Sequence, residues 1–142
     1  MAAIYHQIGI QADNQEVYRA LTTIEGLSGW WTKTSGNPER GGVVNFHFGD
    51  MLCVMKILEQ APDKKVVWQN TAGSDQWLNT KLTFELEVAG NATLVNFTHA
   101  DWQAVTPFMR HCSTKWAVFL LSLECFLESG TGKPYPDDIA VD

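Results

Sequence analysis

No run of apolar residues in this 142-residue chain approaches the ~20 needed to cross a bilayer; the longest uncharged apolar run of its last helical segment is Trp116 to Leu123. The N-terminus, Met1-Ala2-Ala3-Ile4-Tyr5-His6, has neither the basic nor the apolar region of a secretory signal. The expected location is therefore cytoplasmic, and membrane insertion is not expected. Basic residues are few: 10 Lys and Arg against 16 Asp and Glu, a net charge of −6. Lys64-Lys65 is the one adjacent basic pair, so a nucleic-acid partner is not expected. Three cysteines, Cys53, Cys112 and Cys125, have no metal-type spacing. Cys112 and Cys125 would lie roughly 20 Å apart on one helix, beyond the ~7 Å reach of a disulfide. Reduced, packed thiols are expected.

Large rings and a long apolar stripe are present instead. The chain holds six Trp, seven Phe and three Tyr. Val105, Met109, Cys112, Trp116, Phe119, Leu123 and Phe126 recur at alternating steps of four and three, which places them on one face of a helix about 35 Å long. Gly130 is the expected C-cap and Pro134 the stop. The segment Gly130-Thr131-Gly132-Lys133 resembles a piece of a phosphate-binding loop. It follows a helix and runs into proline, so it reads as a helix terminator.

The rest reads mostly as strands. Ile4 to Ile10 is one. Asp13 or Asn14 caps a short helix carrying Val17, Tyr18 and Leu21, and a second short helix covers Ile24 to Trp31. Ser35-Gly36-Asn37-Pro38 reads as a turn. From Val43 onward the chain alternates. Leu82, Phe84, Leu86 and Val88 oppose Lys81, Thr83, Glu85 and Glu87, the pattern of an antiparallel strand with one wet face. Thr93, Val95, Phe97 and His99 carry the inner face of the last strand. Connections this short exclude crossover helices, so the sheet is a meander. The expected fold is α+β: one domain over 1–142 with an extended tail at 133–142. A curved antiparallel sheet of six to seven strands wraps a long C-terminal helix, with two short helices after the first strand, a helix-grip layout.

These residues carry a family resemblance. Val17-Tyr18-Arg19-Ala20-Leu21-Thr22 followed by Leu27-Ser28-Gly29-Trp30-Trp31-Thr32 resembles the opening of the SRPBCC (START-like) superfamily. The chain is most similar to the group named for the C-terminal domain of the activator of heat-shock-protein-90 ATPase. Gly41-Gly42 before Phe46 and Phe48, Val66-Val67-Trp68, Leu82-Thr83-Phe84, Thr93-Leu94-Val95 with His99, and Trp116 with Leu120, Leu123, Phe126 and Leu127 agree in order. The resemblance implies a hydrophobic cavity between sheet and helix, and relatives that include lipid-transfer domains and polyketide cyclases. It supplies no universal catalytic motif.

The rings Trp30, Trp31, Phe46, Phe48, Trp68, Trp77, Phe84, Phe97, Trp102 and Trp116 read singly as core and collectively as a cavity wall. Because adjacent helical residues point apart, one of Trp30 and Trp31 is expected at the cavity mouth or rim. The candidate ligand-binding set is Trp30, Trp31, Phe46, Phe48, Met55, Trp68, Phe84, Phe97, His99, Trp102, Met109, His111, Cys112, Trp116 and Phe119. His99, with Asp101 and His111, would orient a polar head. No local spacing supports a metal, no elbow motif surrounds Ser113, Ser122 or Cys112, and no catalytic, metal or cofactor site is assigned.

The expected function is binding of an apolar or amphipathic small molecule, in a stress-related role. It requires a void of ~300 Å³. One alternative is a cyclase- or hydrolase-like enzyme with a titratable pair facing the cavity. Another is a chaperone-associated interaction module with an exposed patch near Trp30-Trp31 or Trp77. Either a monomer or a homodimer fits.

Overall fold

A computed structural model describes residues 1–141. Strand β1 (Ala2–Ile10) is followed by helices α1 (Asn14–Thr22) and α2 (Ile24–Trp30). Strands β2 (Thr34–Gly36), β3 (Val43–Phe48), β4 (Met51–Ala61), β5 (Lys65–Ala72), β6 (Lys81–Ala89) and β7 (Ala92–Trp102) come next, and α3 (Pro107–Ser129) comes last. The seven strands form one antiparallel sheet in the order β1-β7-β6-β5-β4-β3-β2. The architecture is the α+β helix grip expected from the sequence.

The helices start where side chains can take up their free amides. Asp13 accepts from the Glu16 amide at 2.8 Å and Thr23 from the Gly26 amide at 3.0 Å. Thr106 accepts from the Met109 amide at 3.1 Å, with Pro107 opening α3. Val105 therefore lies before the helix and is exposed, although its spacing matched the stripe. Gly130 caps the other end in the left-handed region at φ 88°, as expected.

Ile57 and Glu59 flank a register shift of β4 against β5, and a second lies between Val54 and Met55. Such irregularities bend and twist a strand. On the sheet's inner face β3 to β7 supply Val44, Phe46, Met55, Trp68, Leu82, Phe84, Val95 and Phe97, all buried. From α3, Met109, Cys112, Trp116, Phe119, Leu120 and Leu123 meet them.

Ser35 and Gly36, expected to open a turn, belong with Thr34 to a short edge strand pairing with Val44–Phe46. Trp30 and Trp31 also depart from expectation, since both are buried. Trp31 has already left the helix as the C-cap of α2, so helical spacing no longer separates the two rings. They stack with centroids 5.9 Å apart, and Trp30 Nε1 donates to the Ala20 carbonyl at 2.9 Å.

α1 and α2 meet through Gly26. A Cβ there would lie 2.6 Å from both the Cα and the carbonyl oxygen of Ala20. Backbone cannot yield as a flexible side chain can. We expect Gly26→Ala to cost about 1–3 kcal/mol despite alanine's better helix propensity. Chemical denaturation of the two proteins side by side measures this; an unchanged or raised stability would refute the close approach.

Candidate functional site

Between α3, the end of α2 and the β3–β4 hairpin lies an apolar cavity of about 150 Å³. Its walls are Trp31, Phe48, Met51, Cys53, Trp77, Cys112, Trp116 and Phe119, with Ser74, Phe108, His111 and Lys115 completing the lining. Met51, Phe108 and His111 are exposed, so the cavity opens on their side.

Local geometry explains each wall. Trp31 sits at the centre of the ring system. It stacks on Trp68 at 6.0 Å, lies 5.0 Å from Trp116, and touches Phe46 and Phe48 at 4.2 and 5.5 Å between centroids. Trp116 comes from the middle of α3 and stacks on Trp77 at 5.9 Å. Trp77 comes from the connection between β5 and β6, a tight turn closed by bonds from the Trp77 amide to the Ser74 carbonyl and from the Thr80 amide to the Trp77 carbonyl.

A buried histidine ties that connection to α3. Trp116 Nε1 donates to His99 Nδ1 at 3.1 Å. With Nδ1 accepting, the ring proton sits on Nε2, which donates to Thr80 Oγ1 at 2.8 Å. The Thr80 hydroxyl then donates to the Trp77 carbonyl. The three bonds run in one consistent direction, with His99 and Thr80 each accepting one and donating one. His99 is fully buried, and burial pushes its pKa down to about 3, so it is neutral near pH 7. It braces two cavity walls without lining the cavity itself.

The sequence-based set thus divides. Trp31, Phe48, His111, Cys112, Trp116 and Phe119 line the cavity. Trp30, Phe46, Met55, Trp68, Phe84, Phe97, Trp102 and Met109 are buried behind or beside it as core, and His99 is buried with them. Asp101, expected to join His99, sits at φ 70° where the pairing of β7 with β1 shifts register. Both His99 nitrogens are engaged elsewhere. Met51, Cys53, Ser74, Phe108 and Lys115 lie outside the sequence-based set, and Trp77 entered through the ring cluster and as a candidate surface patch. Lys115 lies off the apolar stripe of α3, and the tail folds back onto it.

That tail is not simply extended. The Asp137 amide bonds the Pro134 carbonyl at 2.9 Å, the Tyr135 amide bonds the Trp31 carbonyl at 2.7 Å, and the Tyr135 ring lies 5.3 Å from Phe48. Lys115 Nζ pairs with Asp138 and donates to the Ile139 carbonyl at 3.1 Å. Between tail and domain runs a second groove of about 390 Å³, sharing Phe48, Met51, His111, Lys115 and Phe119 with the cavity.

All three cysteines are free thiols, Cys53 and Cys112 buried and Cys125 exposed. Burial raises the pKa of Cys112 and pushes that of Cys53 up to about 12, which keeps both protonated and poorly nucleophilic. Among the described residues, no group of three His, Cys, Asp or Glu side chains is placed to hold a metal ion. Likewise no helix among them is long and apolar enough to cross a membrane.

No curated protein sequence matches the chain. Solved structures do. The chain is similar to the Aha1 dimer from Colwellia psychrerythraea, with 45% identity and a TM-score of 0.85 over 93% of this chain and 100% of that one. Two further matches show the fold alone. The protein SSP2350 from Staphylococcus saprophyticus is 18% identical, with a TM-score of 0.78 over 92% of this chain and 95% of that one. CalU16 from Micromonospora echinospora is 22% identical, with a TM-score of 0.78 over 99% and 74%. The family model described as "Activator of Hsp90 ATPase homolog 1-like protein" matches residues 11–128. That span runs from the end of β1 nearly to the end of α3, and the chain belongs to this family.

Proposed function

We propose that this protein binds a small molecule whose apolar part occupies the cavity between α3 and the sheet. The observation that carries the proposal is the cavity itself, walled by Trp31, Trp77, Trp116 and Phe119 and open at the side of Met51, Phe108 and His111. At about 150 Å³ it falls short of the ~300 Å³ expected from the sequence, so the expectation of a drug-sized ligand is corrected to a smaller one. Dry apolar cavities of this size accept a single aromatic ring such as benzene. The ligand's buried part is accordingly one ring or a short alkyl chain. Any larger remainder would run into the groove beneath the tail. Burial at roughly 25 cal/mol per Å² supplies the affinity. The proposed setting is cytoplasmic.

Filling the void tests this. Cys112 lines it from α3 without a hydrogen-bonding duty in the His99 chain. Cys112→Leu should leave the fold intact and weaken binding of a single-ring probe such as indole at least tenfold by isothermal calorimetry, the loss expected when ~1.4 kcal/mol of contact is replaced by protein. Equal affinity in both proteins would place the probe elsewhere.

A second reading, association of two copies, draws support from the 45% identical relative solved as a dimer. Exposed Met51, Leu52 and Phe108 beside the cavity mouth offer apolar surface for it. Sedimentation equilibrium should then give twice the 15.9 kDa chain mass, with dissociation on Phe108→Glu; a monomer at every concentration would reject it. Of the two places expected for an interaction patch, Trp30-Trp31 is buried while Trp77 stays partly exposed, so an interaction module would have to use Trp77 and its surroundings. An acid–base enzyme would have to work with His111 at the rim, as His99 is committed to Trp116 and Thr80.

A further inference from the structure

Resting on the cavity reading above, we infer that the ligand is an amphipathic carboxylate, and that the chain's own Asp138 occupies the place of its head group on Lys115. The cavity's inner walls offer little to a charge: Trp31, Phe48, Cys53, Trp116 and Phe119 present apolar surface, the Cys53 thiol is buried and protonated, and the unpartnered Trp77 Nε1 is a single neutral donor. A ligand's polar end must therefore lie at the mouth. Lys115 lines both the cavity and the adjoining groove, and its ammonium sits 5.2 Å from the centre of the Phe119 ring. One cation thus stands where an apolar body would emerge.

That cation is already matched. The Asp138 carboxylate pairs with it, and the Asp138 side chain is only 6% exposed. A carboxylate so deeply withdrawn from water is unusual in a terminal tail, because desolvating it must be offset by its partner. Around the pair, the Tyr135 ring packs on Phe48 and the Ile139 carbonyl takes a second Lys115 hydrogen bond. The tail thus presents an apolar ring and a carboxylate to the same two walls that an aryl or alkyl carboxylate would meet. An incoming ligand exchanges one carboxylate for another on Lys115, so the charge balance is preserved while Asp138 returns to water. It also gains length, because the five residues shared by cavity and groove give a longer ligand a continuous wall past Lys115. A neutral ligand would leave Asp138 in place on Lys115.

The test compares 4-phenylbutyrate with the neutral 4-phenyl-1-butanol, by Trp fluorescence titration of the full chain at pH 7.5 and fixed salt. Wild type should bind the acid more tightly than the alcohol. Asp138→Asn, which removes the competing charge but keeps the side-chain shape, should raise affinity for the acid about five- to tenfold and leave the alcohol nearly unchanged. Lys115→Met keeps an unbranched stem over Phe119 and should abolish the preference for the acid. In amide NMR spectra, Ile139 and Ala140 should move towards free-chain positions with the acid and stay in place with the alcohol. If acid and alcohol gain equally in Asp138→Asn, or bind equally in wild type, the head-group inference is overturned while the cavity reading stands. If neither probe binds any of the three proteins, both are overturned.

Discussion

Acidification from pH 6.5 towards 3 is expected to destabilise this protein steeply through a single side chain. His99 has its ordinary pKa of 6.5 in the unfolded chain and about 3 in the native state, depressed by burial. Above pH 6.5 it is neutral in both states and contributes no pH dependence. Between the two values the unfolded chain takes up a proton that the native state refuses. Stability therefore falls as pH falls, by about 1.4 kcal/mol per unit. Crossing the whole window removes about 5 kcal/mol, comparable with the total stability of a small domain. The native state refuses the proton because burial penalises the charged ring, and because Nδ1 accepts from Trp116, so a proton placed there would oppose a donor. His99→Gln should flatten the acid limb between pH 6 and 4 by close to one proton, whatever its effect at pH 7. Denaturant titrations across that range measure the slope for each protein. Parallel slopes in wild type and variant would show that His99 takes its proton in the folded state.

Replacing Trp31 by Ala is expected to produce the largest loss of any single side chain at neutral pH, about 3–5 kcal/mol. The ring is 1% exposed and lies within 6.4 Å, centroid to centroid, of Trp30, Phe46, Phe48, Trp68, Trp116 and Phe119. Removing it deletes the hub joining α2, the sheet and α3, and leaves a hole continuous with the existing cavity. Relaxation cannot close the hole from the strand side, where Phe46 and Trp68 are held by sheet pairing on both flanks. Val88→Ala is the control: that side chain is 64% exposed, so its loss should stay within about 0.5 kcal/mol. The enlarged void gives the prediction a second edge. Indole at millimolar concentration should restore part of the lost stability of Trp31→Ala through ligand linkage, and none of that of a variant damaged elsewhere.

The parts of this structure that a period can encode were legible in the chain. β6 was plain over Lys81 to Glu85, where Leu82 and Phe84 are buried and Lys81, Thr83 and Glu85 wetter, but Val88, expected on the same buried face, is 64% exposed near the strand's end. α3 was plain because Met109, Cys112, Trp116, Phe119 and Leu123 keep helical spacing against a solvated flank. Val105 extended that stripe wrongly, although Thr106 and Pro107, a cap followed by a first-turn proline, mark the true start. β2 could not be read this way. Its three residues form a strand only because Val44–Phe46 offers an open edge.

The site was less legible, because each of its features joins segments far apart in sequence. The rings were recognisable as a group, but nothing local separates those facing a void from those filling the core. Trp68 and Trp116 look alike in composition and alternate in role because of where the end of α2 lands between them. The bond from Trp116 to His99 spans 17 residues, and Thr80 enters from a third segment. Asp101 lay two residues from His99 and was the natural partner on paper; the register shift there leaves His99 to Trp116 and Thr80 instead. Lys115 and Asp138 are 23 residues apart, on opposite sides of a helix terminator, and only the return of the tail makes them neighbours.

The six tryptophans provide the most direct test of the cavity. Trp31, Trp77 and Trp116 line it, while Trp30, Trp68 and Trp102 lie in the surrounding core. Their indole N–H signals can be assigned one by one by substitution and followed during titration with a single-ring ligand such as indole or benzoate. Saturable shifts confined to Trp31, Trp77 and Trp116, with Trp30, Trp68 and Trp102 largely still, are the predicted result. Shifts that fail to saturate, or that fall on Trp30, Trp68 and Trp102 as strongly as on the other three, would contradict a ligand site between α3 and the sheet.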